Sequence, residues 1–141
     1  MRKTIPSNPS EKGFTLIEML LVLVIIALLA SIAIPSLLKT KEAAEAGSTT
    51  GTMRAIQANQ SNYYFQNGRY ASITELNTYS DNALGTNSGS TMWRGNYRYY
   101  SFPLSANGLK TQYTILAIRF KNNTPVSALI MRQDGVVQTL F

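Results

Sequence analysis

Hydrophobic and polar positions divide the chain into stretches of different pattern. Residues 14–38 are almost wholly apolar, and Glu18 is the only ionisable side chain among these 25 residues. As a helix this stretch is about 37 Å long at 1.5 Å per residue, which exceeds a bilayer core of about 30 Å. Pro35 removes one backbone donor late in the stretch and is expected to kink the helix. The pattern therefore predicts a hydrophobic transmembrane helix with one charge near its start.

The helical pattern continues beyond residue 38 in amphipathic form. One face of the predicted helix carries side chains at helical spacing, namely Met53, Ile56, Gln60, Tyr63 and Tyr64. We predict a single helix over residues 14–66, ended by Asn67-Gly68. The alternative is two helices with a break at residues 47–51, GSTTG, because each glycine costs about 1 kcal/mol in a helix interior.

The rest of the chain predicts a short helix, a loop and then strands. Ser72 and Glu75 have the spacing of a capping box, so a helix is expected at 73–79. Residues 80–96 are rich in Ser, Asn, Gly and Thr and are predicted to be mostly loop. Aromatic and β-branched residues then form four strand-like runs, at 97–104, 112–120, 126–132 and 136–140. Asp134-Gly135, between the last two runs, predicts a tight hairpin.

These elements predict an α+β fold. The long N-terminal helix would consist of a hydrophobic stem and an amphipathic half. The apolar face of the amphipathic half, with Met53, Ile56 and Tyr63, would pack on a C-terminal four-stranded antiparallel sheet. About 100 residues remain once the stem is set aside, which is the usual size of one small domain.

Composition argues against several function classes. The chain has no cysteine and no histidine, which removes disulfides, thiolate zinc sites, a cysteine nucleophile and the usual general base near neutral pH. No two acids form a recognisable catalytic pair, and Glu42 and Glu45 are interpreted as a solvated helix face. We therefore expect no catalytic, cofactor-binding or metal-binding residues, no cofactor and no enzymatic activity.

An excess of basic over acidic residues, together with frequent aromatic residues, suggests nucleic acid as an alternative partner. The formal net charge is +6, and the cations are scattered along the chain. Aromatic residues cluster at 63–65 and 97–102, with Arg94 and Arg98 nearby, and stacking platforms combine these residue types. Aromatic residues at helix and strand spacing in a small domain are more typical of a core, and we favour that interpretation.

Glu18 needs an explanation, because a carboxylate in an apolar run costs about 2.5–3.5 kcal/mol at mid-bilayer. Cleavage between Gly13 and Phe14 would create an amine four residues from Glu18. The hexapeptide GFTLIE at 13–18, followed by MLLVLVIIALLASIAIP, resembles the processing and methylation segment of type IV pilins and type II secretion pseudopilins. The alternative is an ordinary signal anchor with a stray glutamate.

The resemblance implies a processing route and a fold. A prepilin peptidase would cut after Gly13 and methylate the amine of Phe14, and residues 1–13 would be a leader that stays in the cytoplasm. Residues 14–38 would be the membrane and filament-core helix, and residues 39–141 would be the globular head of a type IV pilin fold. In such filaments Glu18 of one subunit faces the Phe14 amine of another, and the helix bends or unwinds near Pro35.

The function implied is that of a structural subunit of a type IV pilus. The partners would be further copies in a helical homopolymer, the prepilin peptidase and methyltransferase, and an inner-membrane assembly platform. The protein would span the bacterial inner membrane once before assembly and lie in an extracellular filament afterwards. Two alternatives share the segment, a major pseudopilin of a type II secretion system and a minor pilin for DNA uptake.

Overall fold

Two helices and one antiparallel sheet make up an α+β fold in the computed structural model, which describes residues 13–105 and 107–141. Helix α1 is Leu16–Asn67, α2 is Ile73–Tyr79, and a short 3₁₀ helix occupies Gly108–Lys110. The sheet order follows the chain order, through β1 Thr86–Ser88, β2 Thr91–Arg94, β3 Tyr97–Phe102, β4 Thr114–Lys121, β5 Thr124–Arg132 and β6 Val137–Thr139. The predicted fold class is confirmed, with six strands in place of four.

The described residues divide into two units between Lys41 and Glu42, and the second unit extends to Phe141. The predicted leader lies outside the described residues except for Gly13. In the second unit one cluster of buried side chains joins both helices to one face of the sheet. Its largest fully buried members are Met53, Ile56, Ile73, Leu76, Met92, Tyr99, Ile115 and Met131.

Helix α1 continues through residues 47–51, so the predicted alternative of two helices is wrong. The hydroxyls of Thr50 and Thr52 donate to the carbonyls of Ala46 and Ser48, so they need no partner outside the helix. Thr52 is also buried beside Met53, and such packing outweighs a weak helix propensity. The predicted apolar face holds at Met53, Ile56, Gln60 and Tyr63, whereas Tyr64 is 42 % exposed.

The predicted strands correspond to β3–β6. The prediction missed two further strands in residues 80–96, which were expected to be mostly loop. This stretch contains β1 and β2, joined by Gly89-Ser90 and leading to β3 through Gly95-Asn96. Both glycines have positive φ, at 59° and 58°, which suits two-residue hairpins. Both strands are short and mostly exposed, and only Met92 in them is buried, so no alternating pattern marked them in the sequence.

Polar side chains of Gln60 and Asn77 fasten loops onto the helices from inside the core. Gln60 is fully buried, and its amide donates to the Ala71 carbonyl at 2.7 Å and accepts from the Ala71 N–H at 2.9 Å. Asn77 is equally buried, and its oxygen accepts from the backbone N–H groups of Leu84 and Gly85. Each side chain supplies hydrogen bonds that a neighbouring strand would otherwise supply. The buried N–H and C=O groups of these loops therefore have hydrogen-bond partners.

Ion pairs made by Arg69 and Arg119 complete the second unit. The capping box of Ser72 and Glu75 is present, and Arg69 also binds Glu75. Hydrogen bonds from the Arg69 guanidinium hold the pKa of the Glu75 carboxyl below its ordinary value. Glu42 and Glu45 form ion pairs with Arg119 at 3.2 and 3.4 Å. Glu42 is exposed, as the interpretation of a solvated face requires, whereas Glu45 is half-buried.

Replacing Gln60 by alanine is expected to lower the free energy of unfolding by about 2–4 kcal/mol, because two buried backbone groups of Ala71 lose their partners. Urea unfolding of the full chain in detergent, followed by tryptophan fluorescence, measures this change. Asn59→Ala is the matched control, since that amide is exposed on the same helix. Equal stability of the two variants would contradict the role of Gln60.

Candidate functional site

The candidate site is the start of α1 and the three residues before it. Gly13, Phe14 and Thr15 have no regular secondary structure, and the helix begins at Leu16. Phe14 is 84 % exposed. The proposed scissile bond therefore lies in an accessible segment without regular secondary structure, directly before a helix.

Gly13 has open space around it. A Cβ built there meets no heavy atom within 4 Å. Within the described residues, close packing therefore gives no reason for a glycine at this position.

Thr15 and Glu18 form a reciprocal capping box at the start of α1. The Glu18 carboxylate accepts from the Thr15 N–H at 2.8 Å and from the Thr15 hydroxyl at 2.7 Å, and the Thr15 Oγ1 accepts from the Glu18 N–H at 3.3 Å. This is the arrangement that also starts α2, with the same spacing. The carboxylate lies at the positive end of the helix dipole, so it is stabilised locally within a single chain.

Thr15 is the functional residue that our sequence reasoning missed. The sequence carried the signal, because Thr15 and Glu18 have the same S/T-x-x-E spacing as Ser72 and Glu75. We had explained Glu18 by its charge alone. The structure adds that its Oε2 already accepts two hydrogen bonds from Thr15 before any second subunit is present.

The first part of α1 has an exposed apolar surface. Its large side chains are roughly half exposed or more, among them Leu16, Ile17, Leu21, Leu28 and Ile32. The helix contains a stretch long and apolar enough to cross a membrane. Exposed hydrocarbon of this extent needs lipid or other apolar helices as its surroundings.

Pro35 lies inside α1, and the helix is assigned without interruption on both sides of it. The hydroxyl of Ser31 donates to the Leu28 carbonyl at 2.7 Å, and that of Thr40 donates to the Ser36 carbonyl at 3.0 Å. The two hydroxyls thus bind backbone carbonyls of the helix on either side of the proline, and the helix does not end there. The kink at Pro35 stays a prediction.

The two predicted aromatic clusters are divided between the interior and the surface. Tyr97 and Tyr99 are buried in the core, as our favoured interpretation required. Tyr100 is half-buried, Phe102 is 42 % exposed, and both alternate with the buried residues of β3. Among residues 13–105 and 107–141, no group of three or more acidic, histidine or cysteine side chains is placed to hold a metal ion.

Replacing Thr15 by valine is expected to speed amide hydrogen exchange over the first turn of α1 by about 2- to 30-fold. The reason is that loss of an N-cap typically costs about 0.5–2 kcal/mol. Hydrogen exchange of the full chain in detergent micelles, read by mass spectrometry, measures the effect. Ser31→Ala removes a hydroxyl from the same helix away from its start and should leave that turn unchanged. Identical exchange in both variants would refute the cap.

Comparison with known proteins agrees with this geometry. Residues 8–34 match the family described as the prokaryotic N-terminal methylation motif. Neither the comparison with curated proteins nor that with solved structures gives a match. The matched residues contain Gly13, the Thr15–Glu18 cap and most of the apolar stretch. The chain thus carries a type IV pilin-like prepilin segment.

Proposed function

We propose that the chain is a structural subunit of a type IV pilus, stored in the inner membrane and polymerised through its N-terminal helix. The observation that carries this proposal is one carboxylate, Glu18, at the start of an exposed apolar helix of membrane length. A neutral glutamine could also complete the capping box with Thr15, so a helix that only anchored a domain would not need the charge. A helix that must find one position among identical helices would.

Processing is the first step of the proposed mechanism. A prepilin peptidase would cut between Gly13 and Phe14 and methylate the new amine. Secondary amines keep their proton at neutral pH, so the processed chain would present a cation one helical turn from Glu18. The apolar stem stays on the mature chain, which retains 128 residues after the 13-residue leader is removed from 141.

Assembly is the second step. Stems that leave lipid would bury their hydrocarbon against one another in a filament core, with the assembly platform of the inner membrane delivering them. In that low-dielectric core an unpaired charge is heavily penalised, whereas a paired one is tolerated. Glu18 of an incoming subunit would therefore face the Phe14 amine of a subunit already in the filament. Helices staggered by one turn would leave both charges unpaired, so the pair would set the register.

The choice of a pilus over a type II secretion pseudopilus rests on the small number of acidic residues in the C-terminal region. Resemblance to major pseudopilins implies a calcium site in the C-terminal region, and Ca²⁺ takes six to eight oxygen ligands. Residues 122–141 contain one acid, Asp134, and its carboxylate accepts from the Val136 N–H at 3.0 Å. Retained Glu18 also argues against the minor pseudopilin that starts a pseudopilus. A minor pilin for DNA uptake is the remaining alternative.

Gly13→Arg should abolish cleavage, so that only the longer precursor accumulates in membranes. The reason is external to the chain, since a side chain at position 13 meets no described atom and would clash only with a bound peptidase. Immunoblots of membrane fractions from the native cell separate precursor from mature chain. Gly13→Ala is the control and should still be cut. Mature chain from the arginine variant would refute the assigned bond.

Glu18→Ala should be cleaved normally yet give at least about tenfold less surface filament, because each neighbouring amine would lie unpaired in the core. Shearing cells and quantifying the released subunit against the membrane pool measures this loss. Glu18→Gln keeps the shape and should fail similarly. Normal filament yield from either variant would disprove the register role.

A further inference from the structure

The two edge strands of the sheet, β1 and β6, run in opposite directions. Each strand of the sheet is antiparallel to its neighbour, and five such reversals separate β1 from β6. Two copies that stand side by side with the same polarity would therefore bring β6 of one copy next to β1 of the other as antiparallel neighbours. An odd number of strands would bring parallel edges together instead.

Strand β6 has backbone groups that point away from the sheet. The Leu140 N–H donates to the Ala128 carbonyl at 2.8 Å, so the backbone of Leu140 faces β5. Backbone groups alternate in direction along an antiparallel strand, and those of Val137 and Thr139 therefore face outward. They have no hydrogen-bond partner within the described part of the chain. Residues 136–141 also lack charge and proline, two of the usual protections of an edge strand.

Strand β1 has one open position. Ser88 and Thr91 flank a two-residue hairpin turn and form its closing hydrogen-bonded pair, so the backbone of Asn87 faces outward. The outward groups of Gly85 are already occupied, because the Asn77 side chain binds both its N–H and its carbonyl. The backbone groups of Asn87 have no such partner among the described residues. Asn87 is thus the position of β1 at which another strand can add.

One register of β6 against β1 satisfies both edges. Pairing Asn87 with Thr139 leaves the side-chain hydrogen bonds of Gly85 in place. Pairing Asn87 with Val137 would instead set Thr139 against Gly85, whose backbone groups are occupied. The pairing of Asn87 with Thr139 is therefore favoured.

The directions of the side chains agree with this register, which places Ser88 opposite Gln138. Both side chains are exposed. Gln138 alternates with Val137, which packs against the core, so Gln138 lies on the side away from the helices. Ser88 is paired with Thr91, the neighbour of buried Met92, and lies on that same side. The two sheets can therefore join with their helices on one common side.

We propose that β6 of one copy pairs with β1 of the next, so that the sheets of neighbouring copies join into one antiparallel sheet. Each copy uses a different edge for each neighbour, and heterologous contacts of this kind generate rings or helical filaments. Edges of three residues pair weakly on their own. Stems that hold copies side by side raise the effective concentration of the edges, so pairing follows assembly. The inference rests on the proposed function of the chain as a filament subunit.

A second copy of β6 fits this edge less well than β1 does. Antiparallel pairing of two β6 strands needs a two-fold axis perpendicular to the sheet, which turns the second copy end over end. Copies that are anchored in one membrane or assembled in one filament share a polarity and cannot meet in this way. A strand of an unrelated protein would leave copies of this chain unlinked to one another.

Disulfide cross-linking tests the proposal cleanly, because the chain has no cysteine of its own. In filaments sheared from cells and oxidised, Ser88→Cys combined with Gln138→Cys should give a ladder of covalent multimers on non-reducing gels. Directly opposite residues have Cα atoms about 4.5–5.5 Å apart, which a disulfide can span. Thr86→Cys combined with Gln138→Cys is the control, since Thr86 lies about 7 Å from Ser88 along the same edge. Its ladder should be at least about tenfold weaker.

Further variants separate the possible partners. Either Ser88→Cys or Gln138→Cys alone should give no multimers, and dimers from Gln138→Cys alone would indicate pairing of two β6 strands and overturn the proposal. Thr139→Pro removes an outward N–H that β5 does not use, and it should weaken the ladder of the double variant at least about tenfold. An undiminished ladder would refute the pairing. Circular dichroism checks that each variant is folded, and Thr86→Cys combined with Leu140→Cys replaces the first pair if that pair does not fold.

The outcome also separates strand pairing from the proposed function. Filaments that give no ladder would overturn strand pairing and leave the function as a filament subunit intact. A chain that forms no filament would contradict the proposed function, and oxidation of the membrane pool then decides the inference. A ladder in that pool supports pairing between stored copies, and its absence overturns the pairing.

Discussion

The burial of a long apolar helix that carries one charge is the constraint on which the account depends. Side chains from Phe14 to Leu38 are exposed over almost their whole length in a single chain. Hydrocarbon of this extent is stable only in lipid or against similar helices. The Glu18 carboxylate can be accommodated in lipid and among helices if it has a hydrogen-bonding or ion-pair partner in each of these surroundings. Thr15 is its partner within the chain, and the amine of a neighbour is the one we propose for the filament.

A different constraint governs the second unit, which has no cysteine and cannot use disulfides. Its loops are held by buried amides instead. Gln60 replaces a strand partner for Ala71, and Asn77 does the same for Leu84 and Gly85. Arg119 adds ion pairs with the first turns of this unit's helix. Such contacts satisfy polar groups that would otherwise destabilise a small domain.

Sequence reasoning succeeded where one local rule decided the structure. The apolar run, the capping box at Ser72 and the four C-terminal strands each follow from periodicity or turn chemistry within a few residues. It failed where contacts between residues far apart in the sequence determined the structure. β1 and β2 are too short and polar to show a period, and they exist because hairpin turns place them beside β3. Likewise no pattern reveals that Glu42 and Glu45 meet Arg119, 74 or more residues away.

The site residues Gly13, Phe14 and Glu18 stay a prediction, and they lie within the matched residues 8–34. The contacts of Glu18 were predicted incompletely, because its hydrogen bonds with Thr15 were overlooked. The central claim is that Glu18 exchanges its partner Thr15 for the amine of a neighbouring Phe14. A helical reconstruction of the native filament measures it directly. We expect a Glu18 oxygen within about 4 Å of the neighbouring amine. A carboxylate that still binds only Thr15, with no neighbouring amine close by, would contradict the claim.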